Sequence, residues 1–475
     1  MDRILLIEPA YKNKFPPIGL MKLATFHKIK GDEVYFYKGV HKALLLKKWD
    51  IVYISTLFSF DWNITLKTID FYGGLLEKGS KVIIGGIMAE LMRNELKDVV
   101  NRRIIFNDLS DMQVDGELIK SMPAFHYMLT DKMLLNIYNL PPDYGIFGDQ
   151  VLPYKEAVDT DYFFSTTKGC TRDCEFCAVN KLTKISYEYL PLVPKIEYII
   201  KTFGERRNLI LLDDNLLQSS KFDRIIDEIK DCGFHRDAKL NGKKRYVDFN
   251  QGLDLRLLDK HHIARLSEIA LKPLRLALDK MKLCDMFSKK VKWLNDAGFR
   301  NISVYMLFNY KDEPVDLYKR LELCVNLNER YGTRIYSFPM KYAPIDLKNR
   351  SYIGCKWTKR QLRGVQCILN ASSGNGPRTL DFFQRAYGSS VEEFEKLILM
   401  PENYIIYRNR NSENGNLRMW QELYSSLDCE EKGIFKKAIG NGKTKKGLTG
   451  NLDKVNELLQ LYNNEYHGGI TGETP

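Results

Sequence analysis

Twice along this sequence, short apolar runs alternate with helix-length amphipathic segments, and that alternation restricts the fold more than any other feature. Between residues 1 and 110 the β-rich runs are 4–7, 33–37, 51–55 and 81–84. Helical patterns at 18–31 and 63–79 separate them, with Gly31 and Gly79 at their ends, where C-terminal capping favours glycine. The pattern predicts an α/β domain of the doubly wound, Rossmann- or flavodoxin-like kind. A second alternation fills 161–346, with strand runs at 162–166, 209–212, 246–250, 274–278, 302–308 and 335–339. Charged amphipathic segments such as 222–233 and 285–298 lie between them. Six βα repeats predict a partial (β/α)6 barrel of TIM type, because right-handed crossovers curl such a sheet in one direction. In parallel barrels the chemistry gathers at the carboxyl ends of the strands.

The remaining segments carry other signals. Residues 111–160 show no clear period and contain the turn signal 140-LPPDYG-145, which predicts a connecting segment. Residues 347–475 read as a basic, mainly helical extension. Within it, 347–380 holds Lys348, Arg350, Lys356, Lys359, Arg360, Arg363 and Arg378 and no acid. A basic, glycine-rich stretch at 432–450 precedes a last amphipathic helix near 452–462, and 467–475 should fray. A chain of 475 residues exceeds the size of one growing core, so several domains are expected. No uncharged apolar run approaches ~18 residues, and the opening apolar stretch is too short for a secretory segment. The expectation is a cytoplasmic protein with no membrane partner. A net charge of +12 predicts an anionic substrate or partner. The basic segment is expected to position phosphate, with Trp357 and Tyr352 for stacking; the alternative is a solvated face that keeps the chain soluble.

The first 169 residues contain no cysteine, and then 165-STTKGCTRDCEFCAVNK-181 places three within eight. Three thiolates spaced C-x3-C-x2-C on one loop can point at a shared centre. Iron–sulfur clusters are held by cysteine thiolates, usually four. Here the nearest further cysteine is Cys232, so a three-cysteine loop leaves one iron for a non-protein ligand. Structural zinc asks for a second CxxC or a Cys/His pair nearby; the flanking histidines, His126 and His235, are not at such spacing. Zinc and incidental thiols stand as the alternatives. Cys355 and Cys367 read as buried structural thiols, and His41 as a surface residue.

Cys170, Cys174 and Cys177, directly after the first barrel strand, match the CxxxCxxC signature of the radical S-adenosylmethionine (SAM) superfamily, which this chain resembles. The aromatic Phe176 before the last cysteine fits as well. The resemblance implies a 4Fe-4S cluster on the three cysteines, with its fourth iron chelated by SAM. It also implies reductive cleavage of SAM to a 5′-deoxyadenosyl radical that abstracts substrate hydrogen, fed by an external one-electron donor such as flavodoxin or ferredoxin. Later strand ends are similar to those that hold SAM in the family. In 211-LLDDN-215, Asp213 or Asp214 takes the place of a Gly-Gly-Glu motif that contacts the amino group, and a carboxylate suits an ammonium. Asn250, Gln251, Asp254 and Arg256 in 247-VDFNQGLDLRLL-258 suit ribose hydroxyls, the SAM carboxylate or substrate. Asp279 ends the fourth strand where relatives often place an acid, and Asn309 ends the fifth, adenine-contacting strand where glycine is frequent. No side chain is assigned to the reaction on the substrate.

Residues 1–100, through 16-PPIGLMKLATFHKIKGDEV-34, 55-STL-57 and 85-GG-86, resemble the cobalamin-binding-type domain of one large subgroup. The subgroup's D-x-H-x-x-G loop is absent, since this sequence has 8-EPAYKNKFPP-17, and Phe58 and Phe60 would crowd a corrin. Three functions follow as expectations. The first is hydrogen abstraction from an anionic substrate, such as a nucleotide or nucleic acid. The second is a cobalamin-dependent radical methyltransferase. The third is a non-catalytic iron–sulfur protein that binds nucleic acid or senses redox state.

Overall fold

In a computed structural model, the structure describes residues 1–100, 104–106, 113–114, 135–183, 186–372, 374, 376–440 and 452–462. The expected fraying end 467–475, and most of the basic run at 441–451, lie outside the described residues. The chain divides into two compact units, 1–275 with 344–349, and 276–343 with 350–475.

The first unit opens with β1 (Arg3–Glu8), α1 (Ile18–Ile29), β2 (Glu33–Lys38), β3 (Ile51–Thr56), α2 (Trp62–Gly73), β4 (Lys81–Gly86) and the short β5 (Ile105–Phe106). They form one parallel sheet in the order β2-β1-β3-β4-β5. Ile4 to Ile7 are fully buried because helices cover both faces of a parallel sheet, so an inner strand reads as an unbroken apolar run. Leu5, Val52, Ile54, Ile69, Val82 and Ile84 belong to one core. Gly31 and Gly79 take left-handed backbone conformations at the helix ends, as their sequence positions predict.

The same unit holds β6 (Asp161–Phe164), α3 (Val193–Phe203), β7 (Asn208–Leu211), α4 (Phe222–Ile229) and β8 (Val247–Phe249). These three strands are parallel in the order β8-β7-β6, with Phe164 and Phe249 both opposite Leu211. That register brings the segments 165–170, 212–215 and 250–254 to the same edge. The structure also inserts a small hairpin, Lys239–Leu240 against Lys243–Lys244, before β8.

The second sheet, β9 (Leu274–Ala277), β10 (Asn301–Phe308) and β11 (Arg334–Lys341), runs in the order β9-β10-β11, with β10 and β11 parallel over eight residues. Within the second unit α5 (Cys284–Asp296) and α6 (Pro314–Tyr331) lie between these strands in sequence. All six barrel strands anticipated from the sequence form. Arg320 of α6 is fully buried and donates to the carbonyls of Leu278 (2.9 Å) and Leu307 (2.8 Å), tying two strand ends together. The extension is helical, beginning with α7 (Lys359–Ala371). Its aromatic core includes Tyr318, Phe383, Tyr387 and Phe394. Among the described residues no helix is long and apolar enough to cross a membrane.

Candidate functional site

The cysteine loop leaves β6 at its carboxyl end. Gly169 has φ +93°, and a Cβ there would lie 2.4 Å from Ser186 Oγ, so only glycine fits immediately before Cys170. The Cys177 amide donates to the Cys174 carbonyl (2.8 Å), closing a turn that folds the loop on itself. All three cysteines are half-buried free thiols. Burial raises the Cys177 thiol, and the nearby Cys174 and Cys170 sulfurs raise it further. A thiol held up in this way is one whose proton a cationic centre would displace on binding. Among the described residues no three His, Cys, Asp or Glu side chains surround a single ion position.

The end of β7 supports the loop from behind. Asp213 is 3% exposed, and its Oδ1 accepts from the Thr166 amide and hydroxyl (2.8 Å each) and from the Thr167 amide (2.5 Å) and hydroxyl (2.8 Å). Its other oxygen, Oδ2, is buried with no hydrogen-bond partner. Burial pushes this carboxyl up, against the pull of those donors. Asp214 accepts from the Gly169 amide (2.8 Å) and pairs with Lys168 (3.2 Å). Asn215, 3% exposed, donates to Cys170 Sγ (3.4 Å) while its Oδ1 is buried and unpartnered. Lys195 of α3 is 2% exposed; burial lowers its ammonium to about 8, opposed by the Asp213 and Glu228 carboxylates.

After β8, Asp254 accepts from Arg256 through both oxygens (2.7 and 3.0 Å) and from Arg172 of the cysteine loop (3.2 Å). Burial pushes the Asp254 carboxyl up, but the two guanidinium groups outweigh it and leave it below its ordinary value. Asn250 is half-buried and Gln251 exposed at the same edge. Phe176 is half-buried within the loop.

Two further anticipated residues belong to the second unit. Asp279 accepts from the Leu307 amide (2.9 Å). Asn309, fully buried at φ +67°, donates to the carbonyls of Tyr342 (3.0 Å) and Tyr352 (3.1 Å) and accepts from the Gly354 amide (2.7 Å). Its amide thus holds three backbone segments together, and the left-handed backbone explains why glycine serves at such a position.

Two expectations about the extension are corrected. Trp357 is 5% exposed, with its indole donating to the Asp312 carbonyl (2.9 Å), so it offers no stacking face. Cys367 is buried as anticipated, but Cys355 is exposed. Some cations of the basic segment are paired within the chain. Arg363 grips Glu402 with two bonds of 2.7 Å, buried Arg360 donates to the Met400 carbonyl, and Lys356 pairs with Glu313 (2.8 Å). Sequence reasoning missed Thr166, Thr167, Arg172 and Asn215. Asn215 had a readable signal, since residues 213 and 215 share one side of an extended segment.

No protein-family model and no curated protein sequence matches this chain. Solved structures do. One is a cobalamin-dependent S-adenosylmethionine radical enzyme, OxsB, with aqua-cobalamin and S-adenosylmethionine bound: TM-score 0.54, 11% identity, covering 97% of this chain and 79% of that one. Another, OxsB with aqua-cobalamin, gives a TM-score of 0.50 at 13% identity over 68% of this chain; the chain spans 52% of that one. The likeness is one of fold. It agrees with an α/β architecture in which a doubly wound domain precedes a partial barrel.

Proposed function

We propose that this chain is a radical SAM enzyme, with a 4Fe-4S cluster on Cys170, Cys174 and Cys177 and SAM on its open iron. The observation that carries the reading is the arrangement beside the thiols: Asp213 Oδ2 and Asn215 Oδ1 are buried oxygens without partners, at the strand end next to the loop. Buried acceptors left unsatisfied are costly, and an α-ammonium group supplies the missing donors. When bound, the cluster supplies the electron that cleaves the SAM sulfonium to a 5′-deoxyadenosyl radical, the species that takes hydrogen from substrate. The protein's own residues do the rest. Asp213 fixes the start of the loop through Thr166 and Thr167, Asp214 fixes Gly169, and Asn215 orients Cys170. Asn250 and Gln251 stand at the same edge for ribose or carboxylate. The electron comes from an external donor such as flavodoxin or ferredoxin, and the substrate is an anion.

The test is anaerobic reconstitution followed by assay for 5′-deoxyadenosine with reductant and SAM. Replacing any one of the three cysteines by Ala should remove the cluster absorbance and SAM cleavage together, because each thiolate holds a separate iron. Full cleavage by a Cys174→Ala protein would sink the reading.

A second reading, a cobalamin-dependent radical methyltransferase, draws on the fold shared with OxsB. The residues here do not fit an axially ligated corrin. Residues 8–17 contain no histidine, Tyr11 is buried with its hydroxyl 2.6 Å from Thr65 Oγ1, and Phe58 and Phe60 stack at 4.9 Å. No step is derived through cobalamin. A corrin spectrum in protein produced with cobalamin, together with a methylated product, would favour this reading.

A further inference from the structure

The segment that follows β7 grips the cysteine loop on both sides of Cys170. Asp214 accepts from the Gly169 amide (2.8 Å). The Gln218 side chain donates to the Gly169 carbonyl (3.0 Å) and accepts from the Thr171 amide (2.8 Å) and hydroxyl (3.1 Å). Cys170 therefore stands between two residues whose backbones are fixed. Its sulfur receives two N–H groups, the Arg172 amide and Asn215 Nδ2, each at 3.4 Å. Asn215 lies between Asp214 and Gln218 in the same segment and is 3% exposed, so packing leaves its amide little freedom. Only the nitrogen end of that amide carries hydrogen, and it is the end a thiolate requires. The oxygen end is buried with no hydrogen-bond partner, so among the described residues none draws the amide away from the sulfur.

Resting on the radical SAM reading, we propose that Asn215 sets the reduction potential of the cluster through its Nδ2–H bond to Cys170 Sγ, with Gln218 as the positioning residue that holds Cys170 against it. Reduction adds one electron to the iron–sulfide core and raises the negative charge on its thiolates. A donor aimed at one of those sulfurs stabilises the reduced form more than the oxidised form and moves the potential up. The electron comes from the external donor; no bond breaks and no proton moves. Asn215 thereby makes the cluster easier to reduce. A side chain that only braced the loop would change how firmly the cluster is retained and leave the potential where it is.

The experiment uses the full chain, reconstituted anaerobically without SAM, so that no contact between Asn215 and SAM enters the result. Iron is counted, and the reduced fraction is followed by electron paramagnetic resonance during a redox titration. Asn215→Leu removes the donor at nearly the same size. At the poise that half-reduces the wild type, its ratio of reduced to oxidised cluster should fall about threefold, which is ~28 mV for a one-electron couple. Gln218→Leu removes the bonds to Gly169 and Thr171 but none to a sulfur, and should shift the ratio by less. An unchanged potential in iron-replete Asn215→Leu overturns the proposal, and so does an equal shift in both variants. Should Asn215→Leu take up too little iron, Asn215→Ala decides by the same measurement. Loss of iron from both would assign Asn215 to bracing and overturn the proposal as well. A wild-type chain that takes up no four-iron cluster overturns the radical SAM reading and this proposal with it. A loaded wild type with potentials indifferent to residue 215 overturns this proposal alone.

Discussion

Lys195 shows what single residues contribute beneath the cysteine loop. Burial on α3 holds its ammonium down from 10.5 to about 8, opposed by the Asp213 carboxylate. Nothing local in 193-VPKIEYIIKTF-203 hints at this, because the segment looks like an ordinary amphipathic helix with a solvated lysine. Only the packing of α3 against the strand end reveals it. The consequence is measurable. Between about pH 8 and 10.5 the unfolded chain holds this proton and the folded chain does not. Folding therefore becomes more favourable as pH rises through that window. The contribution is fully present above the unfolded value and is lost as pH falls through the folded one. Denaturant midpoints of wild type and Lys195→Met should thus diverge in favour of wild type as pH rises across the window, by at most about 1.4 kcal/mol per pH unit. Below about pH 7 the difference should be flat. A difference that shrinks with rising pH would contradict the buried placement. Asn309 makes the complementary point: the sequence marked the position, but its three backbone partners come from residues 342, 352 and 354, which no local pattern connects.

At the scale of elements, the strands were the most legible part of the chain. A parallel strand buried on both faces has to be an unbroken apolar run, and Ile4 to Ile7 or Leu209 to Leu211 leave little choice. Helices packed on one face are harder to place, and α7 is the instructive case. Its basic residues suggested a surface, but Leu362, Val365, Cys367 and Ile368 are buried along one stripe, and Arg360 and Arg363 turn back to Met400 and Glu402. The capping box between Thr358 and Gln361 is written in the sequence and marks the true helix start. The packing is tightest at Gly364, where a Cβ would lie 2.3 Å from the Ile398 carbonyl oxygen and 2.7 Å from its Cα. Gly364→Ala gains helix propensity of at most ~1 kcal/mol but forces two backbones apart, and overpacking of this kind costs about 1–3 kcal/mol. The sign of the net effect is therefore loss. Thermal unfolding of Gly364→Ala should start several degrees lower than wild type, and a rise in midpoint would show that the helix is not seated there.

At the scale of the molecule, the order of parts was readable and the division of the barrel was not. Periodicity marked six strands with equal weight, yet the compact units part near residue 275, and 344–349 rejoins the first. Such a division depends on contacts far apart in sequence, which periodicity does not record. It has a consequence for ligand linkage. The cysteines, Asp213, Asn215, Asp254 and Arg256 all belong to the first unit, and their hydrogen bonds run between segments of that unit alone. A ligand that binds only the folded state stabilises the segments that hold it, and local opening is suppressed where the bonds are made. Loading the full chain with iron and sulfide should therefore slow amide exchange in 165–177, 211–216 and 250–256 by about tenfold or more. Helices Val391–Leu397 and Asn416–Ser426, whose aromatic cores lie in the second unit, should exchange at unchanged rates. Protection that rose in those helices while the cysteine loop stayed open would place the cluster elsewhere in the chain and remove the basis for reading residues 170–177 as its cradle.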